Sequence, residues 1–132
     1  FKLTLCCSST DNVQPTVSAG VAIKSPTVTP TNAAALNFQL TFSETVTGVT
    51  TASFQASSTG GGTITVGALT GSGAGPYAFT VTGMLSSGTV SVSVKSSGNG
   101  IADLASNALS LTGAQTATVV WGKAFALCAW LS

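Results

Sequence analysis

The feature that most constrains the fold is a strict alternation of apolar and polar side chains along residues 36–42. A period of two places one side chain on each face of a β-strand in turn, so this segment predicts a half-buried strand. The same period recurs four more times before residue 122. The apolar positions expected to face the core are Leu36, Phe38, Leu40, Phe42, Phe54, Ile64, Val66, Tyr77, Phe79, Val81, Val90, Val92 and Val94, and the alternating series ends with Val119 and Trp121.

Glycine-rich segments separate these runs at residues 60–62, 71–76, 86–88 and 97–100. Short alternating runs punctuated by such turns are typical of a β-sandwich or barrel, and the second of these segments predicts a hairpin loop. Prolines in residues 14–35 predict an edge strand or a strand broken by a bulge. Helical spacing is confined to residues 101–108, where we expect one or two helical turns or plain loop.

Composition excludes several classes of function. Only 5% of the residues are charged and there is no histidine, so acid–base catalysis would depend on Asp11, Glu44, Asp103 or the cysteines. These acids are scattered in the sequence and belong to no catalytic motif, so we predict that the protein is not an enzyme. Its four lysines are also dispersed, which is unfavourable for nucleic-acid binding. The most apolar run, residues 124–131, is far shorter than the roughly 20 residues of a membrane-spanning helix, so no membrane insertion is expected.

Residues 36–48, with the sequence LNFQLTFSETVTG, resemble the "tvtFSEpVtg" signature of bacterial Ig-like repeats in secreted and surface proteins. The resemblance continues through ASF at 52–54, VGALTGSG at 66–73, YAFTVT at 77–82 and GTVSV at 88–92. It ends at IADLASN, 101–107, where Ser106 replaces the usual glycine of "v.D.aGN". In all it covers roughly residues 16–121.

The resemblance implies an all-β fold, an Ig-like β-sandwich of about seven strands, over residues 15–122. Some members of this family bind calcium through aspartates near the domain ends. Here Ser53 and Thr45 replace the family's usual Asp and Pro, while Glu44 and Asp103 are retained. We expect structural parts for both acids, a loop cap for Asp103 and a strand-end carboxylate for Glu44. No cofactor and no metal site are therefore predicted, with calcium as the minor alternative.

The two tails, residues 1–14 and 123–132, differ from the repeat in composition. Residues 124–131 are apolar on both faces, as in strands that are buried on both sides. Three placements remain open: the tails pack on their own domain, one of them completes a neighbouring subunit as an added strand, or they belong to adjoining domains. The predicted assembly residues are Phe1, Leu3, Leu5, Phe125, Leu127 and Trp130.

All three cysteines lie in the tails. A bridge between the adjacent Cys6 and Cys7 would be strained, which favours a disulfide from either one to Cys128. An odd number of cysteines leaves one thiol over or implies a bond between chains. Zinc binding and thiol catalysis are disfavoured because the chain has no histidine.

The sequence therefore predicts a structural subunit of an extracellular or cell-surface filament or assembly. It would be a homo-oligomer joined to copies of itself through terminal strands, and possibly through disulfides. The alternative is a single Ig-like repeat of a large surface adhesin, acting as a spacer or binding module for a ligand that the sequence does not identify.

Overall fold

The structure, a computed structural model, describes residues 10–112 and 115–122, and this part of the chain is all-β. Alternating apolar side chains and glycine-rich turns divide it into nine strands and one short 3-10 turn. The strands are β1 (Ala22–Ser25), β2 (Ala35–Leu40), β3 (Val46–Thr47), β4 (Phe54–Ser58), β5 (Thr65–Thr70), β6 (Tyr77–Thr82), β7 (Gly88–Val94), β8 (Ala102–Asp103) and β9 (Thr116–Trp121), and the turn is Thr51–Ser53.

The strands form three antiparallel sheets. The largest has the order β1-β2-β6-β5, the second has the order β4-β7-β9, and β3 pairs with β8. The predicted hairpin loop at residues 71–76 joins β5 to β6. Gly71 in this loop has a φ of +120°, and a Cβ there would lie 2.6 Å from the carbonyl oxygen of Pro76. Both observations explain why the turn contains glycine.

The two larger sheets share one apolar core, which gives the molecule a β-sandwich-like character. Phe54 of β4 stacks on Phe79 of β6 with their ring centroids 4.3 Å apart, and Phe38 of β2 lies 5.8 Å from Phe79. The predicted core is confirmed except at Ile64 and Val66, which are only partly buried because this segment lies at the edge of the first sheet. The core also includes Val21, Val46 and Ile101.

The strands define two ends of the molecule. We call the end at Leu40, Phe54 and Val94 the upper end, and the end at Ala35, Ser58 and Trp121 the lower end. The described chain enters at the upper end, where the amide of Ser110 donates to the carbonyl of Pro15 at 2.8 Å. It leaves at the lower end, where the amide of Gly122 donates to the carbonyl of Thr31 at 2.8 Å.

Residues 101–108 form no helix, so their helical spacing was misleading. Ile101 is buried in the core and β8 pairs with β3, which holds the start of the segment extended. Ser106 then takes a φ of +69° in the turn that follows. The expectation for residues 14–35 is confirmed, because β1 is an edge strand and its register shifts between Ile23 and Ser25.

Candidate functional site

The predicted assembly and disulfide residues all lie outside the described residues. These are Phe1, Leu3, Leu5, Cys6, Cys7, Phe125, Leu127, Cys128 and Trp130. Two other features of the described part are candidates for a functional site: a cluster of acidic side chains at the upper end and an open strand edge on the second sheet.

The three acidic residues of the chain converge at the upper end. One carboxylate oxygen each from Asp11, Glu44 and Asp103 lies within 4.8 Å of the others. Asp11 belongs to the entering segment, Glu44 follows β2, and Asp103 ends β8. Sequence reasoning missed this cluster because its members are up to 92 positions apart. One indirect signal was the retention of Glu44 and Asp103 within the resemblance to repeats of which some bind calcium, but nothing pointed to Asp11.

Asn107 ties the cluster together. Its amide nitrogen Nδ2 donates to Asp103 Oδ2 at 2.7 Å and to the carbonyls of Asp11 at 2.9 Å and Val13 at 3.1 Å. Its backbone N–H donates to Asp103 Oδ1 at 2.8 Å. One side chain therefore fastens the entering segment to the connection that contains β8. Its bonds to both oxygens of Asp103 lie within one loop, in keeping with the loop cap expected of Asp103.

The surroundings shift the pKa values of Glu44 and Asp103 in opposite directions. Partial burial raises the pKa of Glu44, and the negative charges of Asp11 and Asp103 raise it further. Burial would also raise the pKa of Asp103, but hydrogen bonds from Asn107 and from the backbone of Ala105 and Ser106 hold that pKa below its ordinary value. Near neutral pH this arrangement concentrates negative charge at one end of the molecule.

Chemically, such a cluster offers oxygen ligands of the kind that calcium and magnesium prefer, but calcium takes six to eight of them. Asp103 already accepts a hydrogen bond at each of its oxygens, and Asp11 Oδ1 accepts one from the Val13 amide at 3.0 Å. The three side chains therefore cover only part of a calcium shell.

Carboxyls whose pKa values are pushed apart can also serve as an acid and a base. Two grooves, of about 400 and 360 Å³, lie on the outer faces of the two larger sheets. Neither is lined by an acidic residue, so the cluster and these grooves do not combine into a substrate site.

The second candidate is an edge of β4, which among the strands of residues 10–112 and 115–122 pairs with β7 alone. Two backbone bonds lie at the ends of the β4–β7 pair: Lys95 N donates to Ser53 O, and Thr59 N donates to Thr89 O. With the observed register, they show that the odd-numbered residues of β4 bond to β7. In an antiparallel ladder the alternate residues direct their backbone groups to the other side. The carbonyl of Phe54, both backbone groups of Ala56 and the N–H of Ser58 therefore point away from the sheet.

The other edges of the two larger sheets carry protective features that β4 lacks. At β9, Thr31 donates to the carbonyl of Val120 at 3.1 Å and covers the lower part of the edge. Strand β1 contains Lys24 and a register shift, and β5 shifts register between Gly67 and Thr70. Charges, prolines and bulges are the usual devices that discourage edge pairing, and β4 has none of them.

The described part of the chain contains no helix that is long and apolar enough to cross a membrane. Comparison with protein-family models, with curated proteins and with solved structures yields no match to this chain.

Proposed function

We propose that this protein is a non-enzymatic structural subunit of an extracellular filament or surface assembly, built on an Ig-like β-sandwich. The strand order supports the fold. Orders β1-β2-β6-β5 and β4-β7-β9 correspond to the A-B-E-D and C-F-G sheets of a constant-type immunoglobulin domain. Such a fold hosts many functions, and it is the strand edge and the tail that favour this one.

The observation that carries the proposal is the open, uncharged edge of β4. An edge with free N–H and C=O groups accepts an extended segment as an additional strand. The chain also contains an apolar segment, residues 124–131, in excess of the strands that a sandwich requires. We propose that this segment of one copy adds to β4 of another.

Burial of the tail's apolar side chains would supply the main stabilisation of such a joint. Burying Phe125, Leu127 and Trp130 would contribute roughly 1.5–3 kcal/mol each, and ladder hydrogen bonds would add to that sum. A disulfide from Cys128 to Cys6 or Cys7 of the next copy would then make the joint covalent. Since only 5% of the residues are charged, few charges would lose water when copies pack together.

The alternative is a single repeat of a long adhesin, and one observation favours it. The described chain enters at the upper end and leaves at the lower end, as in-line tandem repeats require. A repeat of this kind would remain monomeric when isolated, whereas an assembly subunit would associate.

Deleting residues 124–132 tests tail exchange. We expect the intact chain to assemble and the truncated chain to sediment as a monomer, because the donated strand is missing. Non-reducing electrophoresis of the intact chain should show disulfide-linked species. Assembly of the truncated chain, or a monomer with an internal disulfide, would contradict the proposal.

The variant Ala56→Pro tests the acceptor edge, because it removes an N–H that points away from β7. Ala56→Gly is the control, since it also changes the residue at this position but keeps the N–H. Proline is tolerated at such an edge position, so both variants should melt cooperatively. Only the proline variant should fail to assemble, and normal assembly of both would exclude β4 as the acceptor.

The absence of catalysis is tested by replacing Asp11, Glu44 and Asp103 with their amides. We expect no hydrolase, transferase or redox turnover in the purified protein, and an effect of these changes on stability alone. Turnover that disappears in any one of the three variants would overturn the non-enzymatic assignment.

A further inference from the structure

The two sides of the sandwich differ in how completely they enclose the core. Along the side formed by β1 and β9, the side chains of Val21, Val119 and Trp121 are buried. Along the opposite side, β4 and β5 lie next to each other, and each is the last described strand of its sheet. We call this the β4–β5 side. Its coverage depends on what lies beyond these two strands.

The β4–β5 side has apolar side chains that face the core and are only partly buried. Ala56 lies two positions after the buried Phe54 and therefore on the same face of β4. Val66 lies opposite the fully buried Val81 and shares its face, and Ile64 precedes Val66 by two positions. A further strand with apolar side chains on its inward face would complete their burial.

The backbone and the charge of this side narrow the occupant to an extended, uncharged segment. The groups that Phe54, Ala56 and Ser58 direct away from β7 can bond to one added strand. No charged residue occurs between positions 45 and 94, and Lys95 lies beyond the upper end of the β4–β7 pair. An inward charge on the added strand would therefore be buried without a partner from β4, β5 or their connection.

The sequence of residues 124–131 meets these requirements. The run contains no charged residue, and in an extended strand its odd-numbered positions share one face. That face has three large apolar side chains, whereas the even-numbered face has one, Trp130. The odd-numbered positions are Phe125, Leu127, Ala129 and Leu131. A strand that directs these inward has Cys128 on its outward face, where a second thiol can reach it.

Reach decides between the chain's own tail and the tail of another copy. Three strand spacings separate β9 from a strand added beyond β4, a distance of about 14 Å. Phe125 lies three positions after Gly122, and three residues span at most about 11 Å. The chain's own Phe125 therefore falls short of the place beside β4, whereas the tail of another copy is not limited in this way.

We infer that residues 124–131 of a second copy occupy the β4–β5 side, bonded to β4 and with their odd-numbered side chains packed on Ala56, Ile64 and Val66. This inference rests on the proposed assembly function. It adds the apolar residues that receive the donated strand, two of them outside β4, and the face of the strand that they contact.

The donated strand is tested with the full-length variants Ala129→Asp and Ala126→Asp. The two changes are identical and only three positions apart, but Ala129 faces inward and Ala126 outward. Ala129→Asp should weaken association about tenfold or more, because it buries an unpaired charge. Ala126→Asp should associate within about twofold of the wild type, because its carboxylate stays in water. Sedimentation velocity measures both.

The receiving side is tested with Val66→Thr, which keeps the shape of the side chain and adds a hydroxyl group to the contact. Val120→Thr is the matched control, because it makes the same change on the outer face of β9. Both variants should melt cooperatively. Val66→Thr should weaken association about fivefold, and Val120→Thr should not change it.

Equal effects of the two aspartate variants, or a larger effect of Ala126→Asp, would overturn the inference. Association of Val66→Thr as strong as that of Val120→Thr would overturn it as well. In either case tail exchange itself stands if deletion of residues 124–132 abolishes assembly. A wild-type chain that stays monomeric at every concentration would overturn both the inference and the proposed function.

Discussion

The core between the two larger sheets and the acidic cluster at the upper end are held together by different means. In the core, many apolar side chains share the stabilisation, and the rings of Phe38 and Phe54 both pack on Phe79. At the upper end, a single side chain, Asn107, holds segments that are 96 residues apart in sequence. The comparison indicates that the core tolerates change in proportion to lost volume, whereas the upper end depends on individual hydrogen bonds.

The largest expected effect is in the core. Phe38→Ala should lower the free energy of unfolding by about 3–5 kcal/mol, because it leaves a cavity beside Phe79. Asn37→Ala, one position away on the outer face, should cost far less in the same chemical denaturation experiment. Equal losses would contradict the observed register, because a shift of one residue exchanges the faces of a strand.

An intermediate effect is expected at Asn107. Asn107→Ala removes the side-chain donor to Asp103 and to the carbonyls of Asp11 and Val13, and should cost about 1–3 kcal/mol. The exposed Asn12→Ala is the matched control and should be close to neutral. Equal stability of the two variants would show that the entering segment is held by other contacts.

The smallest effect is the pH dependence due to Glu44. Its pKa is raised in the folded state, so stability should fall as pH rises from the ordinary value of 4.5 through the folded value. Asp103 acts in the opposite sense: its lowered pKa adds stability that is present above its ordinary value of 3.8 and is lost as pH falls through the folded value. Melting temperatures measured against pH should therefore decline above 4.5 in the wild type, and Glu44→Gln should flatten that decline. An unchanged profile would mean that neither burial nor the other two carboxylates raise the pKa of Glu44.

The core could be predicted from sequence because every second side chain of a half-buried strand faces the core and is apolar. Leu36, Leu40 and Val92 are buried as their alternation indicates. The acidic cluster at the upper end could not be predicted, because nothing in the sequence around Asp11 or Asp103 indicates that the two side chains lie close together. The helical spacing of residues 101–108 misled for a similar reason, because pairing of β8 with the distant β3 outweighed local periodicity.

The positions of entry and exit have a mechanical consequence. A force that pulls the two ends apart runs along the strands, while the ladder hydrogen bonds lie across them. Neighbouring strands would then have to slide past each other, which breaks several bonds together rather than one after another. The earliest described segments are tied to later ones by the bonds from Ser110 to Pro15 and from Thr31 to Val120. Under tension the domain is loaded in shear, so its rupture force depends on these bonds together with the ladder bonds between the strands.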